Sequence, residues 1–78
     1  METNEQTQVV EAAEAIRRYL DVRPNAAETV EGVARWWLAR QRRGEAVALA
    51  QNALDRLEAE GRVVKFNLAG GKVMYRRA

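Results

Sequence analysis

The stretch Arg62-Val63-Val64-Lys65-Phe66-Asn67-Leu68-Ala69-Gly70-Gly71-Lys72-Val73-Met74-Tyr75-Arg76-Arg77 decides the fold, because two β-prone runs, Arg62 to Leu68 and Lys72 to Arg77, flank a diglycine. The primed turns of tight hairpins need positive φ at their central residues, which glycine adopts without a Cβ clash, so Gly70 and Gly71 read as the two loop residues. That turn sets a register: Leu68 opposite Val73, Asn67 opposite Met74, Phe66 opposite Tyr75 and Lys65 opposite Arg76. One face then collects Val64, Phe66, Leu68, Val73 and Tyr75, and the other collects Lys65, Asn67, Lys72 and Arg76 with Met74 among them. Side chains alternate with period two along a strand, so a slip of one residue would scramble this sorting.

Upstream of the hairpin the period changes to that of a helix. A helix from about Glu45 to Glu60 turns Val47, Ala50, Leu54 and Leu57 inward, with Ala46 and Ala53 at the edge of the stripe. Its outward face is Ala48, Gln51, Asn52, Asp55, Arg56 and Ala59, and Gly61 stands where a left-handed C′ residue belongs. Before it, Arg40-Gln41-Arg42-Arg43-Gly44 reads as a short basic turn. A second helix starts after Thr29, an N-cap residue type, and Val30, Val33, Ala34, Trp37 and Leu38 follow one helical stripe. Trp36 then points about 120° from that stripe at 100° per residue, beside Gly32, whose missing side chain leaves a shelf for a docking partner. The first helix runs from Thr7 to Val22 on a stripe of Val9, Ala13, Ile16 and Leu20, and it ends at Arg23-Pro24-Asn25 because the residue before proline leaves the helical region. The reading is a disordered tail over residues 1–6 and one domain over residues 7–78.

Composition bounds what such a domain does. Of the 78 residues, 14 are alanine, so the core must come from a limited set of larger side chains, too few for a buried ligand cavity. The chain has no cysteine and no histidine, which removes disulfides, thiolate zinc sites and imidazole chemistry. Carboxylate pairs such as Glu11 and Glu14 sit on an exposed helical face with nothing to desolvate them, so the expectation is a binding protein with no enzymatic activity, metal or cofactor. The polar, acidic start Met1-Glu2-Thr3-Asn4-Glu5-Gln6 is unlike a signal peptide and no apolar run suits a membrane span, so the expected compartment is the cytoplasm. The net charge of +2 hides a division: residues 1–32 carry seven acids and three bases, residues 33–78 ten bases and four acids. One-sided positive charge is what a polyanion-binding surface requires.

The order helix, helix, basic turn, helix, glycine, hairpin resembles the winged helix-turn-helix DNA-binding domains over about residues 7–77. The residues that carry the resemblance are Thr29 to Leu38 as the second helix, Val47, Ala50, Ala53, Leu54, Leu57, Gly61 and Val63 through the third helix, and Phe66 to Tyr75 around the diglycine. The stretch Thr29 to Leu38 is also similar to small bacterial proteins. The resemblance implies an α+β fold, a three-helix winged helix-turn-helix with a C-terminal β-hairpin wing. It implies a regulator or accessory domain that binds double-stranded DNA, its third helix in the major groove and its wing on the flanking backbone. Ala48, Gln51, Asn52 and Arg56 would then face the groove, and Arg40, Arg42, Arg43, Lys65, Lys72 and Arg76 would contact phosphates. Most affinity would come from the wing and the Arg40 to Arg43 turn. The alternative is a protein-interaction module on the same scaffold, a homodimer or a partner complex, with Gly32 and Trp36 as the interface.

Overall fold

In the computed structural model residues 5–37 and 43–78 are described, and they form an α+β domain of three helices and a three-stranded antiparallel sheet. Helix α1 spans Glu5–Val22 and starts two residues before the expected Thr7. It buries Ala12, Ala13, Ile16 and Leu20, so Ala12 joins the inward stripe in place of Val9, which is half-buried. Beyond it Arg23 N–H donates to Tyr19 O at 2.9 Å and Ala26 N–H to Arg23 O at 3.1 Å, which folds the chain around Pro24 and Asn25. The two-residue strand β1, Ala27–Glu28, follows.

Thr29 caps the next helix as its residue type predicts. It is extended (φ −76°, ψ 166°), and its Oγ1 accepts from the Gly32 N–H at 3.0 Å. Helix α2, Val30–Gly32, then widens into a π-helical turn over Val33–Trp37 instead of continuing as the regular α-helix expected through Leu38. A wider turn advances fewer degrees per residue, so directions projected at the α-helical pitch do not carry over to Trp36 and Trp37. Helix α3 spans Arg43–Ala59. Gly44, expected in a turn, lies in its first helical turn. The helix closes as predicted at Gly61, whose φ is +75°. Gly61 N–H donates to Glu58 O at 3.0 Å and Arg62 N–H to Leu57 O at 2.9 Å, the paired bonds of a Schellman motif.

Strands β2, Val63–Asn67, and β3, Val73–Arg77, form the hairpin, and β1 adds to the other edge of β3, giving the order β1-β3-β2. The register differs by one residue from that of a two-residue loop. Asn67 pairs with Val73, Phe66 with Met74, Lys65 with Tyr75, Val64 with Arg76 and Val63 with Arg77. The cause lies in the turn. Gly71 N–H donates to Leu68 O at 3.0 Å, Leu68 N–H donates to Lys72 O at 2.8 Å, and Gly70 and Gly71 have φ of +92° and +88°. Ala69 is thus a third loop residue, and glycine supplies positive φ at the third position of the turn and again at the step into β3. The faces sort anew. Val63, Lys65, Asn67, Val73, Tyr75 and Arg77 share the helix-facing side, while Val64, Phe66, Met74 and Arg76 lie on the far side.

The largest fully buried side chains are Ile16, Val33 and Leu54, one from each helical segment, and Val63 and Tyr75 close the core from the sheet. Val47, expected inward, is 43 % exposed. At 100° per residue it stands about 70° from the centre of the stripe formed by Ala50, Ala53, Leu54 and Leu57, at the rim of what α1 and the sheet cover. Among the described residues no helix is long and apolar enough to cross a membrane. We expect Leu54→Ala to cost about 2–5 kcal/mol by opening a cavity and Val47→Ala to change stability by less than about 0.5 kcal/mol. Urea unfolding of both variants checks the orientation of α3; a large loss at Val47 would contradict it.

Candidate functional site

The hairpin, α3 and the start of α2 enclose an open cleft of about 600 Å³. The hairpin contributes Lys65, Asn67, Lys72 and Tyr75, α3 contributes Gln51, and Thr29 and Glu31 come from the capped end of α2. Tyr75 is 3 % exposed, its ring in the core and its hydroxyl turned to the cleft floor. There the Gln51 Nε2 donates at 3.0 Å to the Tyr75 hydroxyl and at 2.9 Å to Asp55 Oδ1. Both N–H groups of that carboxamide are therefore engaged, and α3 is tied to β3. Lys65 and Lys72 form no ion pair among the described residues, so the hairpin wall of the cleft carries two uncompensated cations opposite the single carboxylate of Glu31.

The outward side of α3 adjoins this cleft. Ala48 and Asn52 are exposed, as their position predicts. Arg56, predicted on the same side, places its Nε 3.3 Å from Glu60 Oε2, and Glu60 also meets Arg62 at 3.4 Å. Exposed pairs of this kind bind weakly and are easily exchanged for another anion.

Of the residues predicted to contact phosphate, Lys65 and Lys72 come together in the cleft, and Arg76 does not. The three-residue loop puts Arg76 on the far side of the sheet, opposite Val64, with its guanidinium 5.5 Å from the Phe66 ring centroid. The single basic hairpin face read from the sequence is therefore two: a polar, lysine-bearing side next to α3 and an apolar far side with Arg76 on it. Arg43 is the first residue of α3, while Arg40 and Arg42 lie outside the described residues, as do the side chains of Arg43 and Trp36. The shelf expected at Gly32 is filled: a Cβ built there would overlap the Glu28 carboxylate, which also accepts from the Thr29 N–H at 3.1 Å. Sequence reasoning missed Tyr75 as the residue that positions the hairpin on α3. The available signal was its hydroxyl, which needs a partner if the ring is buried.

The acid–base features lie elsewhere. On α1, a hydrogen bond and then the charge of Arg17 hold the Glu14 carboxyl below the usual carboxylate range, and Glu14 in turn raises Arg17. Arg17 also bonds Asp21 at 3.0 Å, a solvent-exposed ladder of ion pairs. Among the described residues no three acidic side chains converge as a metal site would require. Comparison of the chain with protein-family models, with curated proteins and with solved structures gives no match.

The Gln51–Tyr75 bond makes a testable claim about how the cleft is held. Tyr75→Phe and Gln51→Ala are each expected to lose about 0.5–1.5 kcal/mol, and the double variant less than the sum. A double-mutant cycle from urea midpoints measures the coupling; additive losses would mean that the bond does not hold the hairpin in solution.

Proposed function

We propose that the chain is a winged helix-turn-helix domain that binds double-stranded DNA through the outward face of α3 and the adjoining side of the hairpin. The observation that carries this reading is the charge of the hairpin set against its position. Residues 62–78 contain Arg62, Lys65, Lys72, Arg76 and Arg77 and no acid, and Tyr75 and Gln51 lock this segment beside an exposed helix face. The element order α1, β1, α2, α3, β2, β3 and the strand order β1-β3-β2 agree with it. A duplex with its groove on α3 would bring its phosphates against Lys65 and Lys72, and Arg40, Arg42 and Arg43, next in sequence to the start of α3, would be further phosphate contacts. Neutralising phosphates releases counterions, so affinity falls steeply with salt. This reading gives the chain a binding role in gene regulation or another DNA transaction, without catalysis or cofactor.

The test is a fluorescence anisotropy titration of a labelled duplex at several salt concentrations. We expect log Kd to rise linearly with log salt, and Lys65→Ala and Lys72→Ala each to lower the slope by about 1. Absence of duplex binding at about 50 mM salt would refute the proposal.

A second reading, a protein-interaction module, is favoured by the far side of the sheet. Val64, Phe66 and Met74 are only half-buried there, and Leu68 at the turn is 43 % exposed. Like charges on the hairpin oppose pairing of two copies through this side, so the occupant it suits is a partner protein whose apolar surface is rimmed by acids. Amide chemical shifts during a duplex titration separate the readings. Under the first, the shifts fall on α3, Lys65 and Lys72; under the second, the duplex leaves those residues unmoved.

A further inference from the structure

Resting on the duplex-binding reading, we infer that α3 is a reader of A·T base pairs, with the methyl groups of Val47 and Ala48 against thymine 5-methyls and the Asn52 carboxamide on adenine. The argument is one of which side chains remain free. Guanine is read by a free guanidinium or ammonium reaching O6 and N7. The described cation on this helix beyond its first residue is Arg56, which lies in the C-terminal half, away from the N-terminal residues that contact base edges in helix-turn-helix docking. Gln51 has both N–H groups on Asp55 and Tyr75, so it has no donor left for adenine N7. Asp55 Oδ1 takes one of those bonds and is correspondingly less available to the amino group of cytosine.

Toward the N-terminal end and the middle of that surface three of the described side chains then remain. Val47 is 43 % exposed although valine is a poor helix former and the core does not use it. Ala48 and Asn52 are exposed one turn apart, and neither Asn52 polar atom has a partner among the described residues. At 100° per residue Val47, Ala48 and Asn52 lie within an arc of about 140°, running from the second turn of the helix to its middle, and it is the N-terminal part of this helix that contacts base edges in helix-turn-helix docking. In the major groove adenine offers an N7 acceptor and an N6 donor, which one carboxamide satisfies together, and thymine offers a methyl group. Opposite guanine or cytosine the two aliphatic residues would strip water from polar base edges and return no hydrogen bond, a penalty that enforces the choice.

The test uses four synthetic duplexes about two helical turns long: mixed-sequence A·T, the same with every thymine replaced by uracil, G·C, and G·C with 5-methylcytosine. Uracil removes the methyl and leaves the pairing edge intact. We expect the A·T duplex to bind more tightly than G·C, and uracil to weaken it about three- to fourfold for each methyl contacted. Asn52→Ala is expected to weaken A·T binding about tenfold without changing the salt slope. Equal affinity for the thymine and uracil duplexes would overturn the inference and leave duplex binding standing; the preference for A·T that survives uracil is the share assigned to Asn52, and if Asn52→Ala leaves that share unchanged the adenine contact is overturned too, since the preference then signals minor-groove shape. Tighter binding of G·C than of A·T would overturn it too. Failure of all four duplexes to bind at low salt would remove the underlying reading itself.

Discussion

The register of the β2–β3 hairpin is the constraint on which every surface of this domain depends. With Ala69 inside the loop, Tyr75 and Val63 turn to the helices and Phe66 turns away. Tyr75 can serve inside because its hydroxyl accepts from the Gln51 Nε2 at 3.0 Å. Phe66 has no polar atom to satisfy, and on the far side it gains the Arg76 guanidinium over its ring. The same one-residue choice sends Lys65 and Asn67 into the cleft beside α3 and removes Arg76 from it. Packing in the core and charge on the surface are thus settled by a single turn.

The core that this turn completes is small. Ile16, Val33 and Leu54 fill its centre, and Ala12, Ala13, Ala50 and Ala53 are almost fully buried around them. Buried alanines let helix backbones approach closely and leave little volume to fill. They also contribute little apolar area, so the sheet side chains Val63 and Tyr75 are integral to the core rather than an addition to it. A basic hairpin grafted on a large helical core could move freely; here Val63 and Tyr75 tie it into the core, which holds Lys65 and Lys72 beside α3.

What the sequence made legible is what is local. The Thr29 cap, the Gly61 stop and the break at Pro24 each rest on residues within a turn of one another, and all three stand where residue type puts them. The inward faces of α1 and α3 were readable except at their edges, where Val47 and Val9 depend on how far neighbouring elements reach. The register was not readable, because two glycines fit loops of either length and nothing local to the sequence says that Ala69 joins the loop. Strand β1 escaped notice since two residues carry no period; it exists because β3 offers an edge to pair with. The Gly32 shelf failed for a similar reason, being filled by Glu28 from outside its own helix.

Charge is distributed along the same lines. The bases of α1 are compensated locally, Arg17 by Glu14 and Asp21, and Arg18 lies 4.0 Å from Glu14. The hairpin has no such internal partners, so the positive end of the molecule is the end that packs against α3 and not merely the half of the chain with more bases. At physiological salt, screening limits the reach of exposed charges to about 8 Å, so these cations act on a polyanion at contact and not from afar. Any preference among anionic surfaces must then come from groups that touch it. On the cleft side those groups belong to α3, whose amide at Gln51 is already committed to holding the hairpin in place.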